Sequence, residues 1–287
     1  MTADRVAYYP GCSLEATGKE YDLSTRAVCA ALGLELAELE DWSCCGATSA
    51  HNLDHLLSVA LPARNIALAQ GMGLDLAVPC AACYSRLKKA DYLLQSDANM
   101  RKHIEDTAEF KYQGSSKVMS LVETLISMVG LERIAGKVTR QLNGLPVVCY
   151  YGCLLVRPPE VAGFDRVEHP MVIDQLMEAL GARPLTWSYK TECCGASLVL
   201  TNANVVKGLV GRIVEAAREA GATAIVTACP LCQSNLEMRQ PKNKQAVPAL
   251  YFTELMGLAM GLDGAAGWLN KHLIEPVNLL NQISVGC

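Results

Sequence analysis

The stretch Cys44-Cys45-Gly46 occurs twice in this chain, returning with the same alanine after it as Cys193-Cys194-Gly195. Each copy sits inside a larger pattern. Cys12, Cys44, Cys45, Cys80 and Cys83 are spaced C-x31-C-C-G-x33-C-x2-C. Cys153, Cys193, Cys194, Cys229 and Cys232 are spaced C-x39-C-C-G-x33-C-x2-C, the same pattern with one longer gap. Ten of the thirteen cysteines fall into these two sets of five. Composition does not generate a duplicated five-cysteine pattern, so the sequence predicts two related units, each gathering five thiols. The longer gap follows Cys153, and an insertion of eight residues near Pro158-Pro159 aligns the halves.

Thirteen cysteines in a chain that starts without a charged leader and cleavage site are expected to be metal or redox ligands rather than a disulfide framework. Vicinal cysteines could pair with each other only with strain. The charged fraction is 19%, below the usual quarter, which leaves room for a large core and for buried partner surfaces. A net charge of −4 with no basic block gives no footprint for nucleic acid. The most apolar run, Ala246 to Met260, is broken by Thr253 and Glu254, so no membrane span is expected and the chain is expected in the cytoplasm.

Read in order, the first half opens with a strand from Arg5 to Tyr9, stopped at Pro10-Gly11 with Cys12 in the turn. A helix from Tyr21 to Leu32 ends at Gly33, and a strand from Leu34 to Leu39 leads to Cys44-Cys45-Gly46. Residues Ala50 to Gln70 read as helix interrupted near Pro62. Leu74 to Val78 is a short strand whose end turns through Cys80 and Cys83 into another helix. The stretch from Asp91 to Gly144 reads as a helical connector, with Asn143-Gly144-Leu145-Pro146 as the boundary. The second half repeats the scheme: strand Val147 to Tyr151, helix Met171 to Leu180, strand Thr223 to Thr227 before Cys229. Leu121-Val122-Glu123 matches Phe252-Thr253-Glu254 loosely, and Trp268 to Cys287 reads as a tail. The expected fold is α/β, two pseudo-symmetric repeats over residues 1–144 and 145–287, each a small mainly parallel sheet flanked by helices. This order places the cysteines beyond the strand ends on one edge of each sheet.

Zinc structural sites and cubane clusters take four protein ligands each, so five thiols leave one over. Adjacent cysteines point apart in a strand. Both reach one centre only from an irregular backbone, which Gly46 and Gly195 permit. A C-x2-C at a helix start adds backbone N–H groups and the positive end of the helix dipole. Such a site should be large, polynuclear and negative. The full pattern, with Tyr8-Tyr9-Pro10-Gly11-Cys12 and Trp42-Ser43-Cys44-Cys45-Gly46-Ala47 around it, resembles the duplicated cysteine-rich domain of the heterodisulfide reductase B-subunit family over nearly the whole chain. That resemblance implies two non-cubane [4Fe-4S] clusters, one on Cys12, Cys44, Cys45, Cys80 and Cys83 and the other on Cys153, Cys193, Cys194, Cys229 and Cys232. It also implies a disulfide substrate cleaved, or formed, between the two clusters. The implied partners are a ferredoxin-like iron–sulfur subunit of the C type and a flavin-containing subunit of the A type, since this chain carries no ferredoxin signature or dinucleotide fingerprint.

Other residues have plainer expectations. Cys29 reads as a small core residue, Cys149 as part of an apolar strand close to Cys153, and Cys287 as a free terminal thiol. His51 and His55, an i, i+4 pair, offer a proton donor for a departing thiolate, with His55 taken as the candidate catalytic residue. Arg86, Lys88 and Lys89 read as a solvated helix face, with neutralisation of a cluster or an anionic substrate as the alternative. The sequence leaves two competing functions open. One is a non-catalytic electron-transfer or scaffold subunit of an organic-acid dehydrogenase complex; the other is a zinc-binding structural protein.

Overall fold

Five consecutive residues at the start of the chain form β1 (Asp4–Tyr8), whose last three are fully buried, as an apolar strand covered on both faces should be. The structure, a computed structural model, describes residues 4–47, 50–108, 110–240, 245–276 and 279, the side chains of residues 51, 52 and 108 excepted. The short α1 (Gly11–Glu15) and the longer α2 (Lys19–Leu32) follow β1, and α2 ends at Gly33 in the left-handed region. Next come β2 (Leu34–Glu38), α3 (Ala50–Leu53), α4 (His55–Met72), β3 (Leu76–Val78), α5 (Ala81–Ser96) and α6 (Ala98–Ala108). The first sheet closes with β4 (Val118–Ser120), after which α7 (Leu121–Thr124), a π-turn over Leu125–Val129 and α8 (Leu131–Ala135) lead away.

The second half supplies β5 (Pro146–Tyr150), α9 (Pro159–Ala162), α10 (Val172–Ala179), β6 (Arg183–Pro184), α11 (Ala203–Glu219), β7 (Ala224–Thr227) and α12 (Pro230–Met238). β8 (Ala249–Tyr251), α13 (Phe252–Ala259) and α14 (Ala265–Trp268) complete it. Strand order is β2-β1-β3-β4 in one sheet and β6-β5-β7-β8 in the other, with every pair parallel. The fold is therefore α/β, two repeats of one topology, as the duplication implies. The residues that set the repeats apart lie between Cys153 and α10, where α9 occupies the longer connection that the sequence offset places near Pro158-Pro159.

Two expectations need correction. Helix α4 runs unbroken through Pro62; the interruption falls at Asp54, which is extended (φ −154°) and whose side chain caps α4 by accepting from the Leu57 N–H at 2.8 Å. A proline inside a helix removes one N–H, and the packing of Val59, Ala63 and Ile66 holds the helix together around it. The connector after Asp91 is not wholly helical either, because Val118–Ser120 is a strand. Three residues, all buried, show no alternation, so the helical spacing of the following residues masks them. The match of Leu121-Val122-Glu123 to Phe252-Thr253-Glu254 is the trace of this hidden strand, since both segments start the helix after the fourth strand of their sheet.

The halves share one core. Helix α2 lies on α13, where Tyr21 stacks on Tyr251 with ring centroids 4.2 Å apart, and the buried Ser24 and Thr253 hydroxyls meet at 2.7 Å. In the reverse sense α10 lies on α8, and the Tyr84 hydroxyl on α5 donates to the Ala162 carbonyl on α9 at 2.9 Å. Each half thus completes the outer layer of the other.

Candidate metal centre

Every cysteine of the two sets follows the C-terminal end of a strand. Cys12 lies beyond β1, Cys44 and Cys45 beyond β2, and Cys80 beyond β3; Cys153, Cys193, Cys194 and Cys229 stand the same way to β5, β6 and β7. Parallel strands of one sheet all end on the same edge, so the five thiols of each half meet there. Cys80 and Cys229 are the N-caps of α5 and α12, in extended backbone, which sets their thiols and those of Cys83 and Cys232 at helix N-termini.

The vicinal pair is held by a turn that only glycine fits. Gly46 (φ 72°) and Gly195 (φ 77°) are left-handed, and a Cβ there would meet Ala50 Cβ at 2.7 Å or Leu209 Cδ1 at 2.8 Å. The same turn aims the Gly46 N–H at Cys44 Sγ (3.4 Å) and the Gly195 N–H at Cys193 Sγ (3.3 Å). One tyrosine per half fixes the carbonyl ahead of the pair: Tyr9 donates to the Ser43 carbonyl at 2.9 Å and Tyr150 to the Glu192 carbonyl at 2.6 Å. Burial, then the charge of the surrounding thiols, pushes both phenols far up, so they stay neutral donors. In the first half Asn65, fully buried on α4, also clamps Ser43, accepting from its N–H and donating to its carbonyl, both at 2.9 Å. In the second half Asn235 on α12 does the related task, donating to the Cys194 carbonyl at 2.6 Å.

The thiols within each set touch. Cys45 and Cys83 Sγ are 3.2 Å apart, and Cys194 and Cys232 Sγ are 3.6 Å apart. Cys44 and Cys83 share their protons with Cys45, which is held down to about 3, and both are pushed up in exchange. Cys153 does the same for Cys193, which falls to about 6, and Cys232 does so for Cys194. The two sets also meet each other. Cys80 and Cys229 come close where the halves join: Cys80 is pushed up, chiefly by Cys229, and Cys229 is lowered, first by Cys232 and then by Cys80. Tyr21 marks this junction, its hydroxyl lying 3.2 Å from the Pro79 carbonyl and 3.4 Å from the Ala228 carbonyl, each just ahead of one of these cysteines. Cys12, Cys44 and Cys193 are exposed, while Cys45, Cys80, Cys83, Cys194, Cys229 and Cys232 are buried.

Ten thiols in two touching sets are a soft, thiolate-only donor array. Among the described residues no three His, Cys, Asp or Glu side chains converge on a point that would hold a single metal ion. Paired sulfurs spread over five positions, with helix N-termini behind them, suit a polynuclear iron–sulfur group. Cys29 and Cys149 are buried core residues, and burial pushes the Cys29 thiol up to about 12. His55 is exposed on the first turn of α4; the His51 side chain and Cys287 lie outside the described residues. Arg86 departs from the solvated-face expectation. It is half-buried, one helical turn after Cys83, and that burial lowers its pKa, with the charge of the Cys45 thiolate opposing the shift. Sequence reasoning missed Tyr21, Asn65 and Asn235. Aligning the halves on the C-x2-C pairs would have found Asn235, which stands where Arg86 does in the first half.

The family model of the CCG cysteine-rich domain matches this chain twice, over residues 6–88 and 147–237. The 8-methylmenaquinol:fumarate reductase membrane anchor subunit of Wolinella succinogenes is 33% identical over 95% of this chain and 98% of its own length. The B subunit of the ferredoxin/F(420)H(2)-dependent CoB-CoM heterodisulfide reductase of Methanosarcina acetivorans is 26% identical over 97% of each chain. A crystal structure of a hypothetical protein from Helicobacter pylori superposes with a TM-score of 0.74 at 11% identity, covering 94% of this chain and 51% of that longer one, a likeness of fold alone. No described helix is long and apolar enough to cross a membrane.

Proposed function

The chain belongs to the CCG cysteine-rich domain family that includes the heterodisulfide reductase B subunits, and we propose that it is the disulfide-cleaving iron–sulfur subunit of a multi-subunit oxidoreductase complex. The observation that carries this reading is that both five-cysteine sets are complete and come together where the halves join, the Tyr21 hydroxyl reaching the carbonyls just ahead of both Cys80 and Cys229. Cys12, Cys44, Cys45, Cys80 and Cys83 would hold one non-cubane [4Fe-4S] cluster, and Cys153, Cys193, Cys194, Cys229 and Cys232 the other. Each cluster, when bound, would supply one electron and an iron able to take one sulfur of the substrate. The overall change is RS–SR′ plus two electrons and two protons giving RSH and R′SH. The exposed thiols Cys12, Cys44 and Cys193 form the solvent side of the site, and the buried ones close it from behind. His55 is assigned as a proton donor to a departing thiolate. Electrons would arrive from a ferredoxin-like subunit of the C type, itself served by a flavin-containing subunit of the A type, on the cytoplasmic side.

A second reading rests on the likeness to the fumarate reductase subunit: electron transfer within an organic-acid oxidoreductase complex, with no disulfide chemistry. Electron paramagnetic resonance of the oxidised, iron-loaded chain with a series of small thiols separates the two. A new paramagnetic signal with at least one thiol is expected. If the clusters are intact and every thiol leaves the spectrum unchanged, the electron-transfer reading stands instead.

A further inference from the structure

The two cysteine sets share one topology but not one electrostatic setting. Three pairs of equivalent positions differ in charge. One turn after the C-x2-C pair, Arg86 in the first half is replaced by Asn235 in the second. Arg86 is half-buried on the same face of α5 as Cys83, three positions on, and Cys83 Sγ lies 3.2 Å from Cys45 Sγ. Asn235 is neutral, and its amide is spent on the Cys194 carbonyl at 2.6 Å. Immediately before the vicinal pair, Ser43 in the first half is replaced by Glu192 in the second, an exposed carboxylate one residue from Cys193. The equivalence of these two positions is structural as well as sequential, since each offers its carbonyl to the tyrosine of its own half. Farther along the helix, Lys88 is replaced by the buried Glu237.

Nearby cations do not restore the balance on the second side. The buried Lys190 is matched by Asp174 at 2.7 Å, Arg157, which also donates to the Thr191 hydroxyl at 3.2 Å, is matched by Glu168 at 2.7 Å, and His272 lies between two carboxylates, Glu237 at 2.9 Å and Glu254 at 3.0 Å. Adding an electron to a thiolate-bound centre makes it more negative. A nearby cation favours that change, and a nearby carboxylate opposes it.

We infer that Arg86 and Glu192 make the two centres unlike, so that the first set, around Cys45, holds the stronger electron acceptor and is reduced before the second. Electrons entering from an external donor, dithionite in the test below, rest first on the Cys45 side. This rests on the cluster reading above, but it concerns the order of reduction and holds whether or not a disulfide is the substrate.

The test is a potentiometric titration of the iron-loaded full chain followed by electron paramagnetic resonance, with iron and sulfide measured on every sample. Two separate potentials are expected. R86N should lower the higher potential and leave the lower one in place, E192S should raise the lower potential alone, and R86K, which keeps the charge, should restore the native pair. Glu192 is exposed, so E192S decides the matter even if R86N does not fold. Two coincident potentials, or variants that move both centres together or neither, overturn the inference while leaving the clusters standing. A chain that binds zinc and no sulfide overturns the cluster reading itself.

Discussion

At Cys45 two neighbouring S–H groups, those of Cys44 and Cys83, hold one thiol down to about 3. The residue therefore gathers charge that a cationic centre would neutralise. In the proposed cluster it is also the fifth ligand, the one that takes the set beyond the four thiolates of ordinary zinc and cubane sites. Replacing Cys45 or Cys194 singly with serine should cost about half of the bound iron and sulfide, because one half loses its centre and the other keeps its own; colorimetric iron and sulfide measurements check this. Gly46 shapes the turn that makes the vicinal pair usable. G46A sets a Cβ at a φ of 72° and 2.7 Å from the Ala50 Cβ, so it should lower stability by about 1–3 kcal/mol, read by thermal unfolding.

At the scale of elements, α12 carries Cys232, follows directly on Cys229, and is braced from behind by a buried triad. His272 lies between Glu237, on α12, and Glu254, on α13, and all three side chains are essentially without solvent exposure. Burial alone would lower the His272 pKa, but the hydrogen bonds to Glu237 and Glu254 prevail and lift it to about 10, from the ordinary value of 6.5. A raised folded-state value means the stabilisation is fully present below pH 6.5 and is lost as pH climbs through about 10. Denaturant unfolding between these limits should show stability falling with pH, and H272Q should flatten the slope. H272A should cost about 3–5 kcal/mol, since it leaves two buried carboxylates facing each other without a cation.

The elements also differ in how far the sequence reveals them. The leading strands β1, β3, β5 and β7 are legible because they are apolar and end at a cysteine turn. β4, β6 and β8 are not, because two or three residues carry no period, and β6 even contains Pro184, which an edge strand tolerates. The ten thiols are legible from spacing alone. The residues that orient them are not: Tyr21, Asn65 and Asn235 lie on helices at ordinary-looking positions, and only the tertiary fold brings Tyr21 to both carbonyls at once. Arg86 stands out in the sequence as part of a basic group, yet helix spacing does not reveal that it is half-buried one turn from Cys83.

For the whole molecule, duplication did not yield two independent halves. Helix α2 finds its partner in α13, and Tyr21 and Ser24 are buried against Tyr251 and Thr253. Expressed alone, residues 1–144 would expose that face of α2 and the Cys80 side of the site. The fragment should show no cooperative unfolding transition, whereas co-expression with 145–287 should restore one, as followed by circular dichroism. The same junction brings Cys80 and Cys229 together through the Tyr21 hydroxyl, which reaches the carbonyl ahead of each, so the proposed centres are expected to work as a pair. Metal content with Mössbauer spectroscopy on the anaerobically isolated full chain tests that account most directly. It should find about eight irons with matching sulfide per chain, in spectra distinct from those of cubane clusters; zinc without sulfide, or iron sufficient for only one centre, would contradict it.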